Sequence, residues 1–127
     1  MTYLPDRRAL FLVAIAGLTV VAMAQEQQPS VRVLSPANGA VVDGRNVELR
    51  MDVKGVRLTP RPSSNAAYVL LRLDDAPPVK AYSDSFTFQE VNPGSHVVRV
   101  ELRRSNGGAF NPPVRTRVRF AVRAEQR

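Results

Sequence analysis

Val114-Arg115-Thr116-Arg117-Val118-Arg119-Phe120-Ala121-Val122-Arg123 is the stretch that decides the fold. Val, Thr and Phe occupy every second position, and four of the five residues alternating with them are arginine. Successive side chains of a β-strand point to opposite faces, so this pattern predicts a strand with one buried and one solvated face. The same period runs upstream. Val98, Val100 and Leu102 alternate with Arg99, Glu101 and Arg103, while Val69, Leu71 and Leu73 alternate with Tyr68, Leu70 and Arg72. Val47, Leu49, Met51 and Val53 alternate with Glu48, Arg50, Asp52 and Lys54. Shorter candidates are Val31–Ser35, Ala40–Val42, Val79–Tyr82 and Ser85–Gln89, the last placing Phe86 and Phe88 on one face. No window after residue 24 holds apolar residues at helical spacing over three turns, so the chain reads as all-β.

Breakers fall where turns are required: Ser35-Pro36-Ala37-Asn38-Gly39, Asp43-Gly44 and Asn92-Pro93-Gly94 each stand between strand candidates. About seven short strands at spacings of about 8–12 residues predict a two-sheet, immunoglobulin-like or fibronectin-III-like sandwich, with a small closed barrel as the alternative. The 127 residues suffice for one domain. With no cysteine there is no disulfide framework, thiolate metal site or thiol nucleophile, and with His96 as the one histidine there is no His cluster.

The amino terminus reads as an address label. Arg7 and Arg8 precede the uncharged, mostly apolar stretch Ala9–Ala22, and Ala22-Met23-Ala24 supplies the small-x-small pattern of a cleavage site. The apolar stretch is shorter than the ~20 residues a spanning helix needs. Residues 1–24 are therefore expected to be a cleaved signal peptide, 25–30 a short linker, 31–123 the sandwich and 124–127 a tail. The expected location is periplasmic or secreted. The whole chain carries a net charge of +7. Losing Arg7, Arg8 and Asp6 with the leader leaves +6, carried almost wholly by arginine, since Lys54 and Lys80 are the sole lysines.

Three segments carry a resemblance. Val33-Leu34-Ser35-Pro36-Ala37-Asn38-Gly39-Ala40-Val41-Val42 resembles the opening of small bacterial extracytoplasmic Ig-like domains, in which a first strand runs into Ser-Pro-x-x-Gly. Leu71-Arg72-Leu73-Asp74-Asp75 is similar to their third strand ending in an acidic turn. Asn92-Pro93-Gly94-Ser95-His96, followed by Val97 to Leu102, is similar to their sixth strand with its Pro-Gly-x-His lead-in. The resemblance implies a sandwich and a binding or accessory role, with no catalytic residues to carry over. The Cys-Trp-Cys pin of antibody domains is absent, because the chain has neither residue.

Two surfaces are candidates for binding. If the third, sixth and seventh strands are neighbours, as in Ig-like topologies, their outward positions collect Arg72, Arg99, Arg103, Arg115, Arg117 and Arg119. Guanidinium groups so arrayed suit carboxylates, sulfates or phosphates, and a solvated, solubilising face is the plainer reading. An envelope protein or an acidic polymer is the expected kind of partner. Nucleic acid is not, because Tyr68 alone offers an outward aromatic for stacking. The second surface is the loop pole formed by Thr59–Ala66 and Arg104–Pro113, where Phe110 stands beside Arg61 and Asn65, either as a recognition anchor or as a lid on the core.

His96 shares the parity of Val98 and is expected to be a hydrogen-bonded structural histidine. Asp74, Asp75 and Asp84 lack the Asp-x-Asp-x-Asp-Gly spacing of a calcium loop and read as turn residues. No nucleophile elbow, phosphate loop or His-Glu-x-x-His motif is present. The expectation is a non-enzymatic envelope module with no metal and no cofactor.

Overall fold

The computed structural model describes residues 28–124, and the expected signal peptide lies outside them. The described residues form nine strands: β1 (Ser30–Ser35), β2 (Ala40–Asp43), β3 (Val47–Lys54), β4 (Arg57–Leu58), β5 (Ala66–Leu73), β6 (Val79–Ala81), β7 (Ser85–Phe88), β8 (Gly94–Arg104) and β9 (Ala109–Arg123). They build a two-sheet sandwich. The smaller sheet has the order β1-β3-β7, and the larger runs β2-β9-β8-β5-β4, with β6 also paired to β5.

Each long strand forms where the period-two pattern ran. The inward series of the larger sheet, Val69, Leu71, Val98, Val100, Leu102, Val118, Phe120 and Val122, is buried against Val47, Leu49 and Met51 of the smaller one. Phe86 and Phe88 pack edge to face with their rings 5.0 Å apart and close the core beside β7. This apolar interior supplies the dominant driving force in a chain without cross-links.

The expectation of about seven strands is corrected to nine. β4 is two residues long and exists through parallel pairing with Ala66 and Ala67. The second departure is at β9, which begins at Ala109 rather than near Val114. The register of β8 passes from Leu102↔Val114 to Arg103↔Ala109, so residues 110–113 bulge with no partner on β8. Pro112 and Pro113, which have no N–H to give a ladder, sit inside that bulge.

Turns fix the chain's passage between sheets. Asn38 Oδ1 accepts a hydrogen bond from the Arg119 N–H at 2.9 Å, and Gly39 N donates to Arg119 O at 2.6 Å, tying the first turn to β9. Gly55 occupies the left-handed region at φ 83° between β3 and β4, and a Cβ there would lie 2.8 Å from the Gln28 carbonyl oxygen. Only glycine fits that approach.

Candidate functional site

The outer face of β5, β8 and β9 is set by cross-strand register. Arg72 pairs with Arg99, and Arg99 with Arg117, which makes one row of three arginines across three strands. The next row is Leu70–Glu101–Arg115, and the row beyond it joins Tyr68 to Arg103. On the other side Arg119 lies opposite Val97. The three expected neighbours are adjacent, and all six arginines of the sequence reading stand on one face.

Their environments differ. Arg103 is half-buried and already engaged: Nη1 donates to Gly107 O at 3.0 Å, Nη2 donates to Glu101 Oε1 at 3.1 Å, and Nε lies 3.1 Å from Glu101 Oε2. That Nε–H is shielded from solvent yet poorly aligned for a hydrogen bond, so it gains Coulomb attraction without a directional partner. The Glu101 carboxylate, by hydrogen bond and by charge, holds Arg103 above its ordinary pKa. Arg103 therefore closes the β8–β9 hairpin instead of standing ready for a ligand. Arg72 spends Nε on Ala76 O at 3.1 Å and keeps its terminal nitrogens. Among the described residues no carboxylate comes within 4 Å of Arg72, Arg99, Arg115, Arg117 or Arg119, all of them exposed.

The face is dished rather than flat. A shallow depression of about 630 Å³ is lined by Leu70, Pro78, Arg72, Arg99, Arg115 and Arg117 among others. A second, of about 510 Å³, extends past Arg119 to Gly39 and His96, and the two share Arg99 and Arg117. At its β6 side the face joins apolar Leu70 and Pro78 to the exposed cation Lys80. Tyr68 is covered by Lys80, whose Nζ lies 4.9 Å above the ring, and by Tyr82 at 6.0 Å between centroids.

His96 lies near the start of β8 with the inward parity of Val98, its ring 5.9 Å from that of buried Phe120. Its Nδ1 lies 2.5 Å from Asp74 Oδ2 and its Nε2 2.6 Å from Asn92 O. Both neighbours are acceptors, so the geometry is satisfied by the doubly protonated imidazolium. Burial opposes that charge most strongly, but the Asp74 hydrogen bond, the Asn92 carbonyl and the Asp74 charge together outweigh it and raise the His96 pKa. For Asp74, burial pushes upward, and the bonds from His96 and from the Val97 N–H, with the His96 and Arg99 charges, pull the pKa below the ordinary carboxylate value. The turn reading of Asp74 thus gains a partner that spacing in the sequence did not reveal. The register Leu73↔Val98 brings two residues 22 apart in sequence into contact.

At the loop pole, Asn65 and Phe110 line one small cleft of about 250 Å³. Phe110 is half-buried against the core, and the Arg104 guanidinium lies 4.5 Å from its ring centroid. Arg61 does not line the cleft; its backbone N–H turns to Thr59 Oγ1 at 3.1 Å.

No protein-family model matches the chain, and no curated protein sequence matches it either. Solved structures are similar in fold. A fibronectin(III)-like module of Clostridium thermocellum CbhA has a TM-score of 0.52 at 12% identity, over 76% of this chain and 99% of the module. The extracellular domain of BT3049 from B. thetaiotaomicron has a TM-score of 0.53 at 16% identity, over 83% of this chain and 16% of that one. An engineered protein scores 0.53 at 16% identity over 76% of this chain and 20% of its own. The chain thus spans a fifth or less of two of these three structures and almost the whole of the module. What they share with it is the all-β, two-sheet sandwich of fibronectin-III and immunoglobulin-like domains.

Proposed function

We propose that the chain is a non-catalytic binding module, periplasmic or secreted, that docks on a protein of the cell envelope through the outer face of β5, β8 and β9. The observation that carries this reading is the row Arg72–Arg99–Arg117, flanked along β9 by Arg115 and Arg119, with no carboxylate within 4 Å of any of the five among the described residues. Like charges directly opposite each other destabilise a sheet. Glu101 is taken up by Arg103, so the five exposed arginines gather without a counter-charge of their own, and a partner that brings it accounts for their gathering. Guanidinium forks suit carboxylates in particular.

The leader pattern in residues 1–24 supports a place outside the cytoplasmic membrane. The state of His96 supports a non-catalytic role, because both ring nitrogens are committed to Asp74 and Asn92 and neither is left to move a proton. Among the described residues no cluster of three or more His, Cys, Asp or Glu could hold a metal ion. Base stacking has little to work with, since Tyr68 is 6% exposed.

A second reading makes the same face the site of a carrier or sensor for an anionic ligand, such as an acidic glycan or a lipid headgroup. The depression of about 630 Å³, a volume in the range of small-ligand sites, favours it. In-cell crosslinking and capture, with the natural chain and an R115E/R117E/R119E variant, tests both. One defined protein captured by the natural chain and lost by the variant supports docking through this face. Retention of that protein moves the site to the loop pole. Recovery of no protein, with salt-sensitive binding to an acidic glycan or to anionic vesicles, supports the second reading.

A further inference from the structure

We propose that the occupant of this face is an extended acidic segment of the partner protein, with Asp or Glu at alternate positions, lying along β9 from Arg115 to Arg119. The inference rests on the reading of the outer sheet face as a docking surface and adds the chemistry and spacing of what docks there.

Spacing is the first argument. Same-face side chains of a strand recur every two residues, about 6.7 Å, so Arg115, Arg117 and Arg119 form a ladder about 13 Å long. An extended peptide has that same repeat. Its residues i, i+2 and i+4 present three carboxylates in step with three guanidinium groups. The two depressions that share Arg99 and Arg117 give such a segment a continuous track along β8 and β9. Arg117 is its centre, with Arg99 and then Arg72 beside it in the same register row, so the middle carboxylate meets more than one guanidinium.

The second argument is that the carboxylates of this floor are already engaged, Asp74 at the wall of the second depression by His96. Glu101 lies opposite Arg115 and is fixed by Arg103. A polymer densely charged along its whole width sets anions against Glu101. A segment whose charges stand in a single line over β9 does not.

The test uses protein purified from cells expressing the full chain and two fluorescent peptides of one composition. In the first, three glutamates alternate with threonines; in the second, the three glutamates are consecutive and threonines flank them. Fluorescence anisotropy at low salt is expected to show the alternating peptide binding at least about tenfold more tightly, a gap that narrows as salt is added. Arg117→Ser is expected to weaken that binding by about tenfold or more, and Arg50→Ser, on the outer face of the smaller sheet, to leave it unchanged. Circular dichroism of both variants checks that the fold is kept. Equal binding of the two peptides overturns the spacing argument and the inference with it. If neither peptide binds, while polyphosphate or heparin binds and is lost with Arg117→Ser, the inference falls and the face stands as a site for acidic polymers. If no anionic probe binds in a manner that depends on Arg117, both the inference and the docking face fall.

Discussion

The outer faces of the two sheets follow the same period-two rule and assemble different electrostatics, one of mixed sign and one dominated by arginine. On the smaller sheet, β3 presents Glu48, Arg50, Asp52 and Lys54 in turn, and Asp52 gathers Arg32 of β1 at 3.4 Å and Lys54 at 3.7 Å. On the larger sheet the corresponding positions read Arg72, Arg99 and Arg117 across, and Arg115, Arg117 and Arg119 along. Either pattern keeps a strand face in water. Exposed ion pairs are worth only about 0.2–1 kcal/mol each, so the mixed-sign face gains little stability from its pairing. What differs is what each face leaves unanswered. The smaller sheet mixes both signs and pairs Asp52 with Arg32 and Lys54, and the larger presents five guanidinium groups to whatever arrives.

Both faces ride on one core, and the largest expected effect tests that. Leu49 lies beneath the mixed-sign face and Leu102 beneath the arginine face, and both are fully buried. Leu49→Ala and Leu102→Ala are each expected to cost about 2–5 kcal/mol by the lost burial and the cavity left behind. Urea unfolding followed by circular dichroism should give one cooperative transition for both variants. Separate transitions would show the sheets to be independent units and break the comparison at its base.

An intermediate effect sets the sheets apart by pH. Among the described residues, the one group titrating near neutrality is His96, on β8 of the larger sheet. Its ordinary value is 6.5 and the fold raises it, so its stabilising contribution is complete below 6.5 and is lost as pH rises through the raised value. Asp74 is lowered from 3.8, so its contribution is present above 3.8 and is lost as pH falls through the lowered value. The pair is therefore expected to contribute most between 3.8 and 6.5. Asp74→Asn should remove the decline above that window and bring the His96 pKa down, read directly by NMR titration of the ring protons. Within the window the cost is expected to be about 1 kcal/mol, below the roughly 1.5–3 kcal/mol of a charged hydrogen bond because the Asp74 side chain is 41% exposed. A His96 pKa unmoved by the substitution would dismiss the pair as its cause.

The sandwich was legible in the sequence because alternation is a local property. Each residue's face on β3, β5, β8 and β9 follows from parity alone, and so does the gathering of six arginines once those strands are neighbours. Whatever depended on pairing was not legible. β4 is too short to show a period, and its two residues become a strand only by lying against Ala66 and Ala67. The bulge at residues 110–113 turns an apparent Pro-rich loop into the start of β9. Arg103 has the same outward parity as Arg99, yet Glu101 and the Gly107 carbonyl occupy it. The Asp74–His96 contact likewise needs the β5–β8 register before the two residues can be seen as partners.

The smallest effects bear most directly on the contrast of the two faces, because they differ in sign. Arg117→Glu sets a carboxylate between Arg99 and the neighbouring guanidinium groups of β9, and converts a repulsive row into an attractive one. It is expected to stabilise the fold by about 0.2–1 kcal/mol. Asp52→Arg does the reverse on the smaller sheet, placing an arginine opposite Arg32 and beside Lys54, and is expected to cost a similar amount. In a domain of this size such changes correspond to shifts in Tm of roughly 1–8 °C, upward for the first and downward for the second. Both should shrink as salt is added, since the Debye length falls from about 10 Å at 0.1 M to about 3 Å at 1 M. Differential scanning calorimetry at the two salt concentrations measures sign and screening together. Equal destabilisation by the two variants would mean that the arginine row carries no repulsion for a partner to relieve. A Tm raised by Arg117→Glu, together with lost binding of the alternating peptide, would show a face that gives up stability on its own so that an acidic partner can supply the missing charge.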